Sequence, residues 1–139
     1  MPAKDLYHDI VVEALKADGW TITDDQLYLG YGERDLWADL GAERAPVVAE
    51  KKTERIAVEI KGFVSPSPVD DLQSAIGQFI MYREVLAEIE PDRILYLAIT
   101  QRAWDGIFSE ALGRLVLERQ RLRLIVFDPK SERIIKWIS

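Results

Sequence analysis

Glu59 and Lys61 stand two positions apart in the stretch Arg55-Ile56-Ala57-Val58-Glu59-Ile60-Lys61. The rest of the stretch is apolar and β-branched, the material of a buried strand. Strand side chains alternate between faces, so the carboxylate and the ammonium share one face, about 7 Å apart along the chain. Ile56, Val58 and Ile60 take the other face as core. Charges on an apolar strand are costly unless they are paired or used. A cross-strand ion pair on a solvated sheet face is one resolution. A chemical site is the other. Asp39 and Glu43 lie on the preceding segment, which a hairpin would lay alongside, and either could reach Glu59. Two carboxylates converging on one sheet face repel unless a cation lies between them.

The composition narrows that cation and the chemistry. The chain has no cysteine, which excludes thiolate nucleophiles, disulfides and zinc–cysteine sites. His8 is the only histidine, and it is expected to face solvent. Any metal must then be hard and oxygen-bound, Mg²⁺ or Mn²⁺. The net charge of −6 disfavours a general nucleic-acid-binding coat but not a local site, because divalent cations restore attraction to phosphate. No apolar run approaches the roughly 20 residues of a membrane span. The start, Met1-Pro2-Ala3-Lys4-Asp5, lacks an apolar signal core, so a cytoplasmic protein without membrane attachment is expected. With 139 residues and 48% hydrophobic content, residues 1–139 are expected to form one folded domain.

The elements that must position these groups can be read in order. Leu6, Tyr7, Ile10, Val11, Ala14 and Leu15 form an apolar arc over 4–18, a first helix ended by Asp18-Gly19. Glu13 lies at the margin of that arc. Residues 20–31 read as strand material broken at Asp24-Asp25, with Gly30 and Gly32 marking a turn. Trp37–Glu43 and Val47–Glu50 read as a second strand region, with Pro46 as a bulge or edge position. Lys51-Lys52-Thr53-Glu54 is a polar hairpin tip before the Arg55–Lys61 return strand. Ser67, Pro68, Asp70 and Asp71 announce a helix that runs to Glu90 before Pro91. On it Gln78 and Tyr82 lie one turn apart, half-buried. Ile94–Ile99 is a continuous apolar run, a central strand covered on both faces. A shorter helix spans Trp104 to Leu112, and strands follow at 122–127 and 133–137. Residues 114–121 are open between helix and strand. Arg114, Arg119, Arg121 and Arg123 cluster there, as a solvated face or along a phosphate backbone. The order implies an α/β fold, a mixed central sheet flanked by helices.

This order, with an acidic residue before the hairpin and Glu-x-Lys on its return strand, resembles the PD-(D/E)XK nuclease superfamily and its restriction-endonuclease-like core. The pattern carries over as Asp39, Glu59 and Lys61, with Glu13 as the first-helix glutamate and Gln78 as the following-helix glutamine. A closer likeness covers essentially the whole chain. Asp39-Leu40-Gly41-Ala42-Glu43, Val58-Glu59-Ile60-Lys61-Gly62-Phe63, Ala75-Ile76-Gly77-Gln78-Phe79 with Tyr82-Arg83, and Asp92-Arg93-Ile94-Leu95-Tyr96-Leu97-Ala98 resemble the XisH family. Members are known from cyanobacteria as controlling factors for excision of the fdxN element during heterocyst differentiation, acting with XisI and the recombinase XisF. The resemblance implies an accessory factor of DNA rearrangement with an XisI-like partner, DNA and a site-specific recombinase as associates, and a homodimer if two strands are cut. It implies an Mg²⁺ or Mn²⁺ site at Asp39, Glu59 and the Ile60 carbonyl, with Lys61, Gln78 and Glu13 completing an endodeoxyribonuclease centre. Two departures stand out. Ala38 precedes Asp39 where the superfamily has proline, and twenty positions separate Asp39 from Glu59, which keeps Glu43 as a rival ligand. Two other readings share the sequence: a non-catalytic, nuclease-like partner of an XisI-like factor, and a metal protein with no nucleic-acid role.

Overall fold

The computed structural model describes residues 5–48 and 50–139. Met1 to Lys4, expected to be a polar start and the first residue of the first helix, lie outside the described residues, as does Ala49. Helix α1 spans His8–Ala17. Leu6, assigned to its apolar arc, precedes it and is exposed. Val11, Ala14 and Leu15 are buried as expected, but so is His8, at 2% exposure. It stands three residues before Val11 and seven before Leu15, so helical spacing puts it on their face. The expectation of a solvent-facing histidine is therefore overturned. The helix ends at Asp18, and Gly19 follows at φ +93, the left-handed turn that glycine adopts without a side-chain clash.

Strands β1 (Thr21–Asp24), β4 (Leu40–Arg44), β5 (Glu54–Lys61), β6 (Arg93–Thr100), β7 (Leu124–Asp128) and β8 (Arg133–Ile138) form one sheet, with spatial order β1-β4-β5-β6-β7-β8. β5, β6 and β7 are parallel, and the flanking pairs are antiparallel. The sheet is mixed, as expected. β2 (Leu27–Tyr28) and β3 (Trp37–Ala38) form a separate two-stranded ribbon. β4 stops at Arg44, so Pro46 and Val47-Val48 belong to the connection and not to a strand. A proline without an N–H cannot sustain the ladder at that point.

Helix α2 (Pro68–Ile89) is capped as the sequence predicts, with the Ser67 hydroxyl accepting from the Asp70 N–H at 3.2 Å. Leu72, Ala75, Phe79, Tyr82 and Leu86 pack it onto the face of the sheet that carries Ala57, Leu95, Leu97 and Ile99. α1 covers the opposite face, where Val11 and Leu15 meet Leu40, Ile56, Val58 and Ile60. β5 is thus covered on both sides. The helix expected over 104–112 is divided into α3 (Gln101–Asp105), a 3₁₀ turn at Ile107–Ser109 and α4 (Ala111–Arg119). Gly113 lets α4 press onto that turn, because a Cβ there would overlap the Ile107 carbonyl. The open segment 114–121 is therefore the rest of α4 and its end.

Candidate functional site

Leu40 pairs with Val58 across the β4–β5 ladder. Continuing that antiparallel register by one step puts Asp39 opposite Glu59, at the residue where the chain passes from the β2–β3 ribbon into the main sheet. The two are interlocked. The Asp39 N–H donates to Glu59 Oε1 at 3.0 Å, and Asp39 Oδ2 accepts from the Ile60 N–H at 2.7 Å. Asp39 Oδ1 and Glu59 Oε2 have no hydrogen-bond partner among the described residues. The twenty-position separation is accounted for by a long connection, 45–53, between β4 and β5.

The rival carboxylate goes elsewhere. Glu43 is registered with Arg55, and their side chains pair at 3.1 Å. Lys61 shares the Glu59 face and is half-buried. Its Nζ lies 3.9 Å from Asp71 Oδ1, and Asp71 Oδ2 accepts from the Ser65 N–H at 3.1 Å. The ammonium is therefore turned toward the start of α2, and no ion pair joins it to Asp39 or Glu59 among the described residues.

Glu59 is 5% exposed, which removes the reading of a solvated sheet face. Burial and then the neighbouring Asp39 push its carboxyl up to about 9, and the charge of Lys61 only partly opposes them. Burial also raises Asp39, against the Ile60 N–H and His8, which favour its ionised form. In the free protein the pair thus holds a proton that an ordinary pair of carboxylates would have lost.

Residues 1–135 match the family described as XisH protein. A solved XisH family protein from Nostoc punctiforme PCC 73102 superposes with a TM-score of 0.88 at 33% identity, over 97% of this chain and 100% of that one. A second structure, an fdxN element excision controlling factor protein from Anabaena variabilis, gives a TM-score of 0.87 at 35% identity, over 98% and 100%. None of the curated proteins matches the chain. The chain belongs to the XisH family.

Around the pair, this XisH-family chain gathers groups that the sequence singles out and others that it does not. Tyr82 on α2 faces Glu59. Burial and then the Glu59 charge raise its hydroxyl above the usual tyrosine range. The Gln78 side chain and the Trp37 backbone oppose that rise, which places both near the Tyr82 hydroxyl. Glu13 is exposed, 3.8 Å from Lys16. The first-helix region supplies Asp5 instead. Asp5 Oδ1 accepts from the Tyr7 N–H at 2.9 Å, and Oδ2 accepts from the Gly62 N–H at 3.2 Å. This ties the start of α1 to the end of β5. A Cβ on Gly62 would lie 2.9 Å from the Tyr7 ring, so the glycine makes that approach possible. The charge of Asp5 raises both Asp39 and Glu59. His8 Nε2 lies 2.7 Å from Asp25 Oδ1, and its buried Nδ1 has no partner among the described residues. The only sequence signals for Asp5 and His8 are a helix-start acid and a helical face.

Proposed function

We propose that the protein controls excision of a DNA element through a divalent-cation phosphodiester centre at Asp39, Glu59 and Lys61, on a PD-(D/E)XK nuclease-like fold. The observation that carries this reading is the interlocked, buried Asp39–Glu59 pair with Lys61 on the same face of β5. The kind of process is suggested by the Anabaena variabilis neighbour, named as an fdxN element excision controlling factor.

The donor set fits Mg²⁺ or Mn²⁺. Each carboxylate keeps one oxygen without a hydrogen-bond partner among the described residues. The Ile60 carbonyl points to the same edge of β5 as its N–H, toward Asp39. Among the described residues no three His, Asp or Glu side chains gather closely enough to hold a metal ion by themselves. That excludes an all-protein cage there. It suits Mg²⁺, which is commonly held by one or two carboxylates with water and phosphate completing the shell. When bound, the ion supplies Lewis-acid polarisation of a phosphodiester oxygen and acidifies a water.

The chain's own residues do the rest. Glu59 would hold the cation in its ionised form, so the proton it retains in the free fold would pass to solvent. Lys61 offers positive charge to the phosphate as negative charge develops. In this reading its role is electrostatic. Tyr82 on α2 lies near the pair, with Gln78 one turn before it. An XisI-like protein, a recombinase and a second copy of the chain are the associates this reading calls for, in the cytoplasm.

A second reading is a non-catalytic binding partner of an XisI-like factor. It is favoured by the approach of Lys61 to Asp71. Calorimetry with Mg²⁺ and Mn²⁺ on the wild type and Glu59→Ala, beside plasmid nicking with and without an XisI-like protein, separates the two. The proposal requires binding that is lost in Glu59→Ala and nicking that is lost in Lys61→Ala. Absence of cation binding in the wild type, with or without partner, leaves the second reading.

A further inference from the structure

A hollow of about 730 Å³ opens where the end of α4 meets the start of β7. Its wall carries Arg83 from α2 and Arg119, Arg121 and Arg123 from the α4–β7 junction, with Glu118 as the one acidic side chain and Ser139 beside them. In a chain with 24 acidic and 18 basic residues, this is a local reversal of sign. None of these four arginines forms an ion pair among the described residues, whereas Arg44, Arg55 and Arg93 all do. Arg83 has a structural task, donating from Nη1 to the Gln120 carbonyl at 2.6 Å. Arg119 lies in the last turn of α4, where a cation complements the helix dipole. Arg121 and Arg123 lie beyond the helix and have no such task. Arg121 also holds φ at +51, a conformation that glycine or asparagine adopts more readily, so the turn does not explain an arginine there.

Guanidiniums gathered without counter-charges repel, and an anion among them removes that repulsion. Their planar forks match phosphate oxygens in a bidentate manner. One phosphate is satisfied by one or two forks, so four around a single open hollow suit successive phosphates. We propose that this hollow binds the phosphodiester backbone of a nucleic-acid strand. The choice of nucleic acid over a free phosphate compound rests on the proposed role in DNA rearrangement; the phosphate chemistry does not. Among the described residues no aromatic side chain lines the hollow, so the contact is to the backbone and carries no sequence information. Helix α2 links the two places, since Tyr82 faces Glu59 and the next residue, Arg83, lines the hollow.

The test is fluorescence anisotropy of a labelled single-stranded oligodeoxynucleotide against salt, in EDTA. The double variant Arg119→Gln/Arg121→Gln is expected to flatten the plot of log affinity against log salt by roughly 1.4 and to bind roughly 25-fold more weakly at about 0.1 M salt, from about 0.7 per lost contact. Arg114→Gln, whose guanidinium stacks over Trp104 at 4.7 Å outside the hollow, is expected to change neither. Because the measurement is made in EDTA, it does not depend on the metal centre, so failure of that centre and failure of this site are read separately. The inference is overturned if the folded wild type does not bind the oligonucleotide at low salt, or if the double variant, folded by circular dichroism, keeps the wild-type slope. Binding of inorganic pyrophosphate without binding of the oligonucleotide also overturns it.

Discussion

Replacing Glu59 with glutamine should change how the stability of the protein depends on pH. The Glu59 carboxyl rises from 4.5 to about 9 in the folded chain, first through burial and then through Asp39. The folded protein therefore keeps a proton that the unfolded chain releases. The stability this group contributes is complete below 4.5 and is lost as pH rises toward about 9. Within that window the slope is that of one proton, about 1.4 kcal/mol per pH unit. From about pH 6 to pH 8 the metal-free wild type should lose roughly 3 kcal/mol through this group alone. Glu59→Gln preserves the acceptor for the Asp39 N–H and removes the titration, so its profile should be flatter by roughly that amount. Denaturant unfolding in EDTA across this range measures both profiles. Coincident slopes would refute the reasoning, because they would mean that Glu59 is already ionised in the free fold. Saturating Mg²⁺ should flatten or reverse the wild-type slope, since the proposed cation takes the place of the proton.

Glu43→Gln should leave Mg²⁺ affinity unchanged in calorimetry and cost less than about 1 kcal/mol, because its partially exposed bond is to Arg55. Ser67→Ala should lower stability by about 1 kcal/mol in denaturant unfolding, through loss of the Asp70 N–H cap. Phe79→Ala should cost about 3–5 kcal/mol by the same measurement, since the ring is fully buried between α2 and the sheet.

What could be read from sequence here follows the range of the interaction that decides it. The shared face of Glu59 and Lys61, the cap at Ser67 and the central strand 93–100 depend on neighbours within a few residues, and they appear where the pattern places them. The choice between Asp39 and Glu43 depends on register across a connection of unknown shape, and even spacing along the chain does not supply that register. Val47 and Val48 have strand-forming side chains, yet Pro46 ends the ladder before them. The polarity of His8 points to solvent, although its spacing to Val11 and Leu15 points inward. Asp5 lies far from Gly62 in sequence and meets it only after α1 packs on the sheet. The division near Gly106 reflects the close approach of Gly113 to Ile107, a contact that local periodicity does not encode.

The position of Asp39 between two sheets has a mechanical consequence. Glu59 rides on a strand paired on both sides, whereas Asp39 directly follows β3 of a short separate ribbon whose Tyr28 is about half exposed. The two carboxylates therefore reach each other from different segments, one on the central sheet and one at the end of the ribbon. A displacement of the ribbon would reach the pair through Asp39 and its bonds to Glu59 and Ile60. A small ion that demands oxygens near 2.0–2.1 Å tolerates little such change. The junction at residue 39 thus makes the spacing of the carboxylates a quantity that can be adjusted from outside the pair.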